Sequence, residues 1–277
     1  MSLRADIPDQ YVDVDGLKIR YIEKGSGRPL LMVHGMGYAL SADQFLPQID
    51  ALSEIAHVFA LDLPGWGLSD APAEGPYFPL WAGVLKGFCD QLGLEQIDIF
   101  TYSIGGWISA LFAVENPERV RRMVLVDSPG LNLVAPDFVT NFRPPTREAL
   151  GEEMAGMMRG TYTEAMVDEL YARINRPGAE DAYRRVASYV VDPEVRKENS
   201  LHSVYPRLPM PILFGQVDNA SAVLIRFVFE AYQLAPHPRM FIYYAGSKGF
   251  PGGIVPEMEA VAIDFLTADE VPPPARK

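Results

Sequence analysis

The sequence predicts an α/β protein: a mostly parallel, doubly wound sheet with a helical insertion near its middle. Three observations carry this. Short apolar runs of strand length alternate with helical stretches from residue 10 to residue 126, the pattern of a parallel sheet covered on both faces. The rhythm breaks between Asn132 and about Leu208, where the chain turns polar and helical. It resumes with two further apolar runs.

Gln10 to Val14 and Leu17 to Glu23 read as a hairpin turning at Asp15-Gly16. Pro29 to Val33 is a short buried strand ending at His34-Gly35, and Asp43 to Leu52 is an amphipathic helix. Val58 to Asp62 is a strand closed by Pro64-Gly65. Leu80 to Leu92 is helical, Ile97 to Tyr102 strand, Ile104 to Val114 helix, and Val120 to Val126 strand. Beyond the insertion, Pro211 to Phe214 and Met240 to Tyr244 are strands, and Glu257 to Leu266 is a helix. Inside the insertion Leu150, Met154, Met157 and Met158 share one helical face; Met166, Leu170 and Ile174 repeat the pattern, and Tyr183, Val186 and Val190 form a third stripe. The methionines read either as packing against the domain below or as the lining of an adaptable apolar pocket. The expected organisation is a core over residues 1–131, a helical cap over 132–208, the rest of the core over 209–270, and a disordered tail over 271–277.

Composition narrows the function. The chain has 277 residues, with 24 Lys plus Arg against 36 Asp plus Glu, a net charge of −12. That balance argues against nucleic acid or an anionic membrane as partner. The single cysteine, Cys89, excludes an intramolecular disulfide. No run approaches the roughly 20 apolar residues of a membrane span. The first residues, MSLRADIPDQ, lack the apolar core of a secretion signal, so a cytoplasmic location is expected. No metal-ligand spacing, dinucleotide fingerprint or phosphate loop is present, and no cofactor is expected. The expected partner is a small apolar molecule, with a homodimer left open.

Two segments carry chemistry. Tyr102-Ser103-Ile104-Gly105-Gly106 follows a strand directly and opens a helix. A tight strand-to-helix turn exposes its central side chain and aims the helix N-terminus at the reacting centre, which reads as a nucleophile at Ser103. The place of the usual leading glycine is held by Thr101. His34-Gly35-Met36-Gly37 ends an earlier strand, and the backbone N–H groups of Met36 and Ile104 are candidate donors to a developing oxyanion. His34 itself reads as a structural histidine. Tyr38 and Tyr102 flank the two donors, as pocket lining or as phenols in the pocket.

The segments HGMG at 34–37, LDLPGWGLSD at 61–70, TYSIGGW at 101–107, NPERVRRMVLVDSPG at 116–130 and PILFGQVD at 211–218 resemble the α/β-hydrolase fold superfamily. SIGGWISALFAVENPERVRRMVLVDSPG is most similar to its capped subgroup with meta-cleavage-product hydrolases, which break carbon–carbon bonds in dienoic acids, and related esterases. The resemblance implies a triad in the order Ser, acid, His. Ser103 matches the nucleophile and Asp218, ending the strand after the insertion, matches the acid; Asp127, ending the strand before it, is a second acid position.

The histidine does not follow. The family's Gly-His-Phe-Pro reads here Gly246-Ser247-Lys248-Gly249-Phe250-Pro251, with Gly249 in the histidine's place. His57 and His237 precede strands, at the sheet edge opposite the site, His34 belongs to the oxyanion loop, and His202 lies between the insertion and the next strand. Lys248 is the ionisable side chain beside the gap and the candidate base. Two functions remain open. One is an enzyme acting on a small apolar ester or carbonyl compound through Ser103, as a hydrolase with a substituted base or as a lyase, decarboxylase or cyclase. The other is a catalytically dead binding protein. A third reading makes Gly249 an alteration of a parent sequence that carries histidine there.

Overall fold

Leu30 to Val33, Val58 to Leu61 and Ile97 to Phe100 are fully or almost fully buried, as strands covered on both faces must be. The computed structural model describes residues 3–75, 77–135, 139, 141–218, 225–243 and 254–269. Its strands are β1 (Gln10–Val14), β2 (Leu17–Gly25), β3 (Pro29–Val33), β4 (His57–Leu61), β5 (Ile97–Tyr102), β6 (Val120–Val126), β7 (Ile212–Val217) and β8 (Pro238–Tyr243). They form one sheet in the order β1-β2-β4-β3-β5-β6-β7-β8. β1 and β2 pair antiparallel, as do β2 and β4; every later pair is parallel.

The helices α1 (Leu46–Ser53), α2 (Tyr77–Gln91), α3 (Ile104–Glu115) and, after the last strand, α9 (Pro256–Thr267) connect and cover these strands. A 3-10 turn, Ala42–Phe45, precedes α1, so the helix expected from Asp43 starts only at Leu46, with Pro47 in its first turn. Between β6 and β7 lie α4 (Arg147–Met157), α5 (Glu164–Ile174), α6 (Ala179–Val191) and α7 (Pro193–Glu198). Thr146, Thr163 and Asp192 cap α4, α5 and α7 by accepting backbone N–H bonds. Leu150, Met154, Met157 and Met158 are buried in one cluster with Ile254 and Met258. The methionine stripe is therefore packing, as the first of its two readings had it. The sequence reading missed α8 (Ile225–Leu234).

A buried ion cluster fastens this insertion to the sheet. The Arg20 guanidinium on β2 is fully buried and donates to Asp9 at 2.5 Å, Asp43 at 2.9 Å and Asp62 at 3.1 Å. Arg173 of α5 reaches the same Asp43 at 2.9 Å, and Glu169 at 3.2 Å. Burial alone would lower the Arg20 pKa; Asp62, Asp43 and Asp9 outweigh it and hold the group above its ordinary value. Asp62 also accepts the Ala42 and Leu68 N–H bonds at 2.8 and 2.7 Å. The LDLPGWGLSD segment thus ties the loop after β4 to β2.

Candidate active site

The strand order fixes where a site can form. From β3 the chain moves to β4 on one side, then returns to β5 on the other. Such a reversal opens a crevice at the carboxyl ends of the two central strands. His34-Gly35-Met36-Gly37 follows β3 and Ser103 follows β5, so both segments meet at that crevice.

Ser103 has φ 52° and ψ −126°, a conformation that side-chain-bearing residues rarely adopt. Strain of this kind, on the order of 1–3 kcal/mol, persists only where the surroundings impose it. Here they do. The Ser103 N–H donates to Val126 O at 2.8 Å, and the Gly106 N–H donates to Ser103 O at 3.0 Å. A Cβ on Gly105 would sit 2.2 Å from the backbone oxygen of Val33, so only glycine lets α3 start this close to β3. A Cβ on Gly35 would sit 2.6 Å from the Tyr102 ring and 3.1 Å from the Ser103 Cβ, so the loop after β3 rests directly on the turn. Ser103 is half-buried and, among the described residues, its hydroxyl bonds to no group. Thr101, in place of the usual glycine, is buried with its hydroxyl donating to Val124 O at 3.1 Å. Its extra atoms are absorbed by the sheet.

The loop after β3 is held rigidly. The Leu63 N–H donates to His34 Nε2 at 2.9 Å, so the neutral ring carries its proton on Nδ1, which lies 2.8 Å from Gly35 O. Burial keeps the His34 pKa below its ordinary value. Both ring nitrogens are engaged, and His34 is structural, as expected. The Gly35 N–H donates to Gln44 Oε1 at 3.0 Å, and Trp66 Nε1 to Gly37 O at 3.1 Å. Among the described residues the backbone N–H groups of Met36 and Ile104 meet no acceptor.

Asp127 and Asp218 have different surroundings. Asp218 is exposed at the turn after β7; its backbone N–H donates to Tyr243 O at 3.0 Å and its carboxylate bonds to nothing among the described residues. Asp127, ending β6 with φ 48°, is 7% exposed. Its Oδ1 accepts the Val217 N–H at 2.8 Å and its Oδ2 accepts the Tyr243 O–H at 3.3 Å. Burial pushes its pKa up to about 6, against the lowering effect of those two bonds. Burial, with Asp127 beside it, pushes the Tyr243 phenol up as well.

The Asp127 shift has a stability consequence. The folded chain binds this proton more tightly than the unfolded chain, whose carboxyl titrates at the ordinary value of 3.8. Stability linked to Asp127 is greatest below that value and is lost as pH rises to about 6. At pH 7 the buried charge costs about 3 kcal/mol. Asp127→Asn is therefore expected to raise the urea midpoint at pH 7 and to leave it almost unchanged at pH 4.

His57 begins β4 and His237 precedes β8, both at the sheet edge opposite Ser103. His202 is exposed and engaged with Ser200 Oγ at 2.6 Å and Glu230 at 3.1 Å. Lys248 and Gly249 lie outside the described residues. Sequence reasoning missed Tyr243 as the partner of Asp127 and Arg173 as the partner of Asp43. Neither carries a local signal, because each meets its carboxylate across more than 100 residues of chain. Among the described residues no cluster of His, Cys, Asp or Glu could hold a metal ion, and no helix is long and apolar enough to cross a membrane.

The sheet order, the strained serine and the loop resting on it define a class of protein. The α/β-hydrolase fold family matches residues 28–164. The chain belongs to the α/β-hydrolase superfamily. It is 35% identical over 119 residues to 2-hydroxymuconate semialdehyde hydrolase of Pseudomonas sp. strain CF600, covering 42% of each. It is 38% identical over 122 residues to the dihydrolipoyllysine-residue acetyltransferase component of the acetoin cleaving system of Cupriavidus necator, covering 44% of this chain and 32% of that one. These matches span less than half the length of either relative. A solved meta-cleavage product hydrolase superposes with a TM-score of 0.76 at 21% identity, covering 93% of this chain and 97% of the other. The enol-lactonase of Burkholderia xenovorans superposes at 0.71 with 19% identity, covering 94% and 100%. The fold is thus the one expected.

Proposed function

We propose that the protein is a serine-type hydrolase acting on a small apolar ester or carbonyl compound, with a triad that lacks its histidine. The strained φ of 52° at Ser103, enforced where β5 meets α3, is the observation that carries this reading. In it, Ser103 Oγ attacks the carbonyl carbon, and the Met36 and Ile104 N–H groups receive the charge that develops on the oxygen. Asp218 is the acid, Lys248 the base beside the gap, and the helices between β6 and β7 are the cap over the substrate. The names of two similar proteins, a semialdehyde hydrolase and an enol-lactonase, support a carbonyl compound as substrate.

Removing the base from a serine triad costs on the order of 10⁶ in turnover, roughly 8 kcal/mol of barrier. Short-chain nitrophenyl esters are therefore expected to be turned over slowly, and a fluorophosphonate probe to label Ser103 faintly. Ser103→Ala should remove both signals; loss of the turnover in Lys248→Ala, with the fold intact, would make Lys248 the base. Fast stoichiometric labelling would mean that an imidazole-like base is present after all. Labelling that survives Ser103→Ala would end the serine reading.

A second reading is favoured by the placement of the histidines: His34 is engaged at both ring nitrogens, His57 begins β4, His237 precedes β8, and His202 bonds to Ser200 and Glu230. The same scaffold then serves a lyase, decarboxylase or cyclase that uses the two amides alone, or a ligand-binding protein. Tight binding of an aromatic enol or ester without turnover, in native chain and Ser103→Ala alike, would select it.

A further inference from the structure

We propose that Tyr243 and Asp127, in place of Lys248, form a proton relay for Ser103, the phenol meeting the reacting atoms and the carboxylate behind it holding the proton. This rests on Ser103 being the nucleophile. Three placements carry it. Tyr102 and Val126 are paired residues of adjacent parallel strands, so Ser103 and Asp127, one residue further on, leave the sheet side by side, about 5 Å apart. Tyr243 reaches across β7 to put its hydroxyl 3.3 Å from the Asp127 carboxylate. Tyr243 also ends β8, the strand after which the family resemblance places the histidine.

The pair is not explained by packing. Among the described residues no cation bonds to Asp127. A buried carboxylate without one is costly, and an asparagine would accept the Val217 N–H equally well. The Tyr102 phenol of β5 is the other titratable group facing the pair among the described residues. β7 presents backbone, and α9 sets the apolar Met258 against Gly215. A carboxyl that titrates near neutrality, as Asp127 does at about 6, is suited to taking and returning a proton.

The step balances. As the Ser103 Oγ–carbon bond forms, the Oγ–H bond breaks and its proton passes to Tyr243 Oη, directly or through one water. The proton Tyr243 held passes to Asp127 Oδ2. The carbonyl π pair moves to the oxygen facing the Met36 and Ile104 amides. On collapse of the tetrahedral adduct the proton returns along the same route to the leaving oxygen.

The test uses the full chain, Asp127→Asn and Tyr243→Phe, with a fluorophosphonate probe and circular dichroism to confirm folding. In the native chain the labelling rate of Ser103 should rise with pH around a midpoint near that of Asp127. Asp127→Asn should abolish this step and slow labelling at pH 7.5 on the order of 10²-fold. Tyr243→Phe should slow it similarly and move the midpoint upward, since the phenol's bond lowers the carboxyl's pKa. If Asp127→Asn fails to fold, Tyr243→Phe decides alone. A native profile without the step, or variants that label like the native chain, would overturn the relay and leave Ser103 as nucleophile. Absence of any Ser103 labelling in the native chain would overturn both.

Discussion

Replacing Gly249 by histidine is expected to raise Ser103-dependent ester hydrolysis on the order of 10²- to 10⁴-fold. On the proposed reading the elbow, the loop after β3 and a carboxylate after β7 supply the other parts of a serine triad, and the change adds the histidine that this reading lacks. Full recovery of the ~10⁶ that a base contributes is not expected. A misplacement of about 1 Å costs on the order of 10²-fold. The gain should vanish when Ser103→Ala is added. It should fall sharply when Asp218→Asn is added; if Asp127→Asn removes it instead, the acid lies at the end of β6. Steady-state hydrolysis of a short-chain nitrophenyl ester reads all of these. A folded Gly249→His chain with no Ser103-dependent gain would show that the site serves other chemistry, and the non-hydrolytic and binding readings would lead.

What the sequence disclosed followed from locality. The strands β3 to β6 were readable because each is a short apolar run bounded by turn residues, and both motif segments were readable because their residues are contiguous. The tight turn at Ser103 was implied by strand, turn and helix within ten residues of chain. α8 was missed: Ile225–Leu234 has an apolar face, but it is a short helix between the apolar runs of β7 and β8. The contrast between Asp127 and Asp218 was not legible. Both end a strand after an apolar run, and only the three-dimensional order of β6, β7 and β8 buries one carboxylate against Tyr243 and leaves the other exposed. Arg20 shows the same limit. It stands in β2 among apolar neighbours as an apparent violation of strand patterning, and its three carboxylate partners come from three separate segments.

Arg20→Met is expected to destabilise the chain by about 3–5 kcal/mol, the cost of breaking a buried ion pair from one side. The arginine is fully buried and its whole fork is used, so methionine can fill the volume but cannot answer Asp9, Asp43 or Asp62. Arg173 would remain against Asp43, leaving Asp9 and Asp62 without their cation. Arg20→Lys keeps the charge but not the fork, and should lose less. Arg173→Met removes a partner Asp43 shares with Arg20, so its effect on global stability should be the smallest of the three. It should act on the insertion instead, because Arg173 is the ion-pair tie from α5 to the core at this cluster, loosening the helices between β6 and β7 relative to the sheet. Urea unfolding measures the first two effects, and amide exchange over residues 147–198 measures the third. An Arg20→Met chain as stable as the native one would mean that the three carboxylates had taken up protons or rearranged at little cost. The cluster would then be incidental to the fold rather than the fastening between the LDLPGWGLSD loop, β2 and the helical insertion.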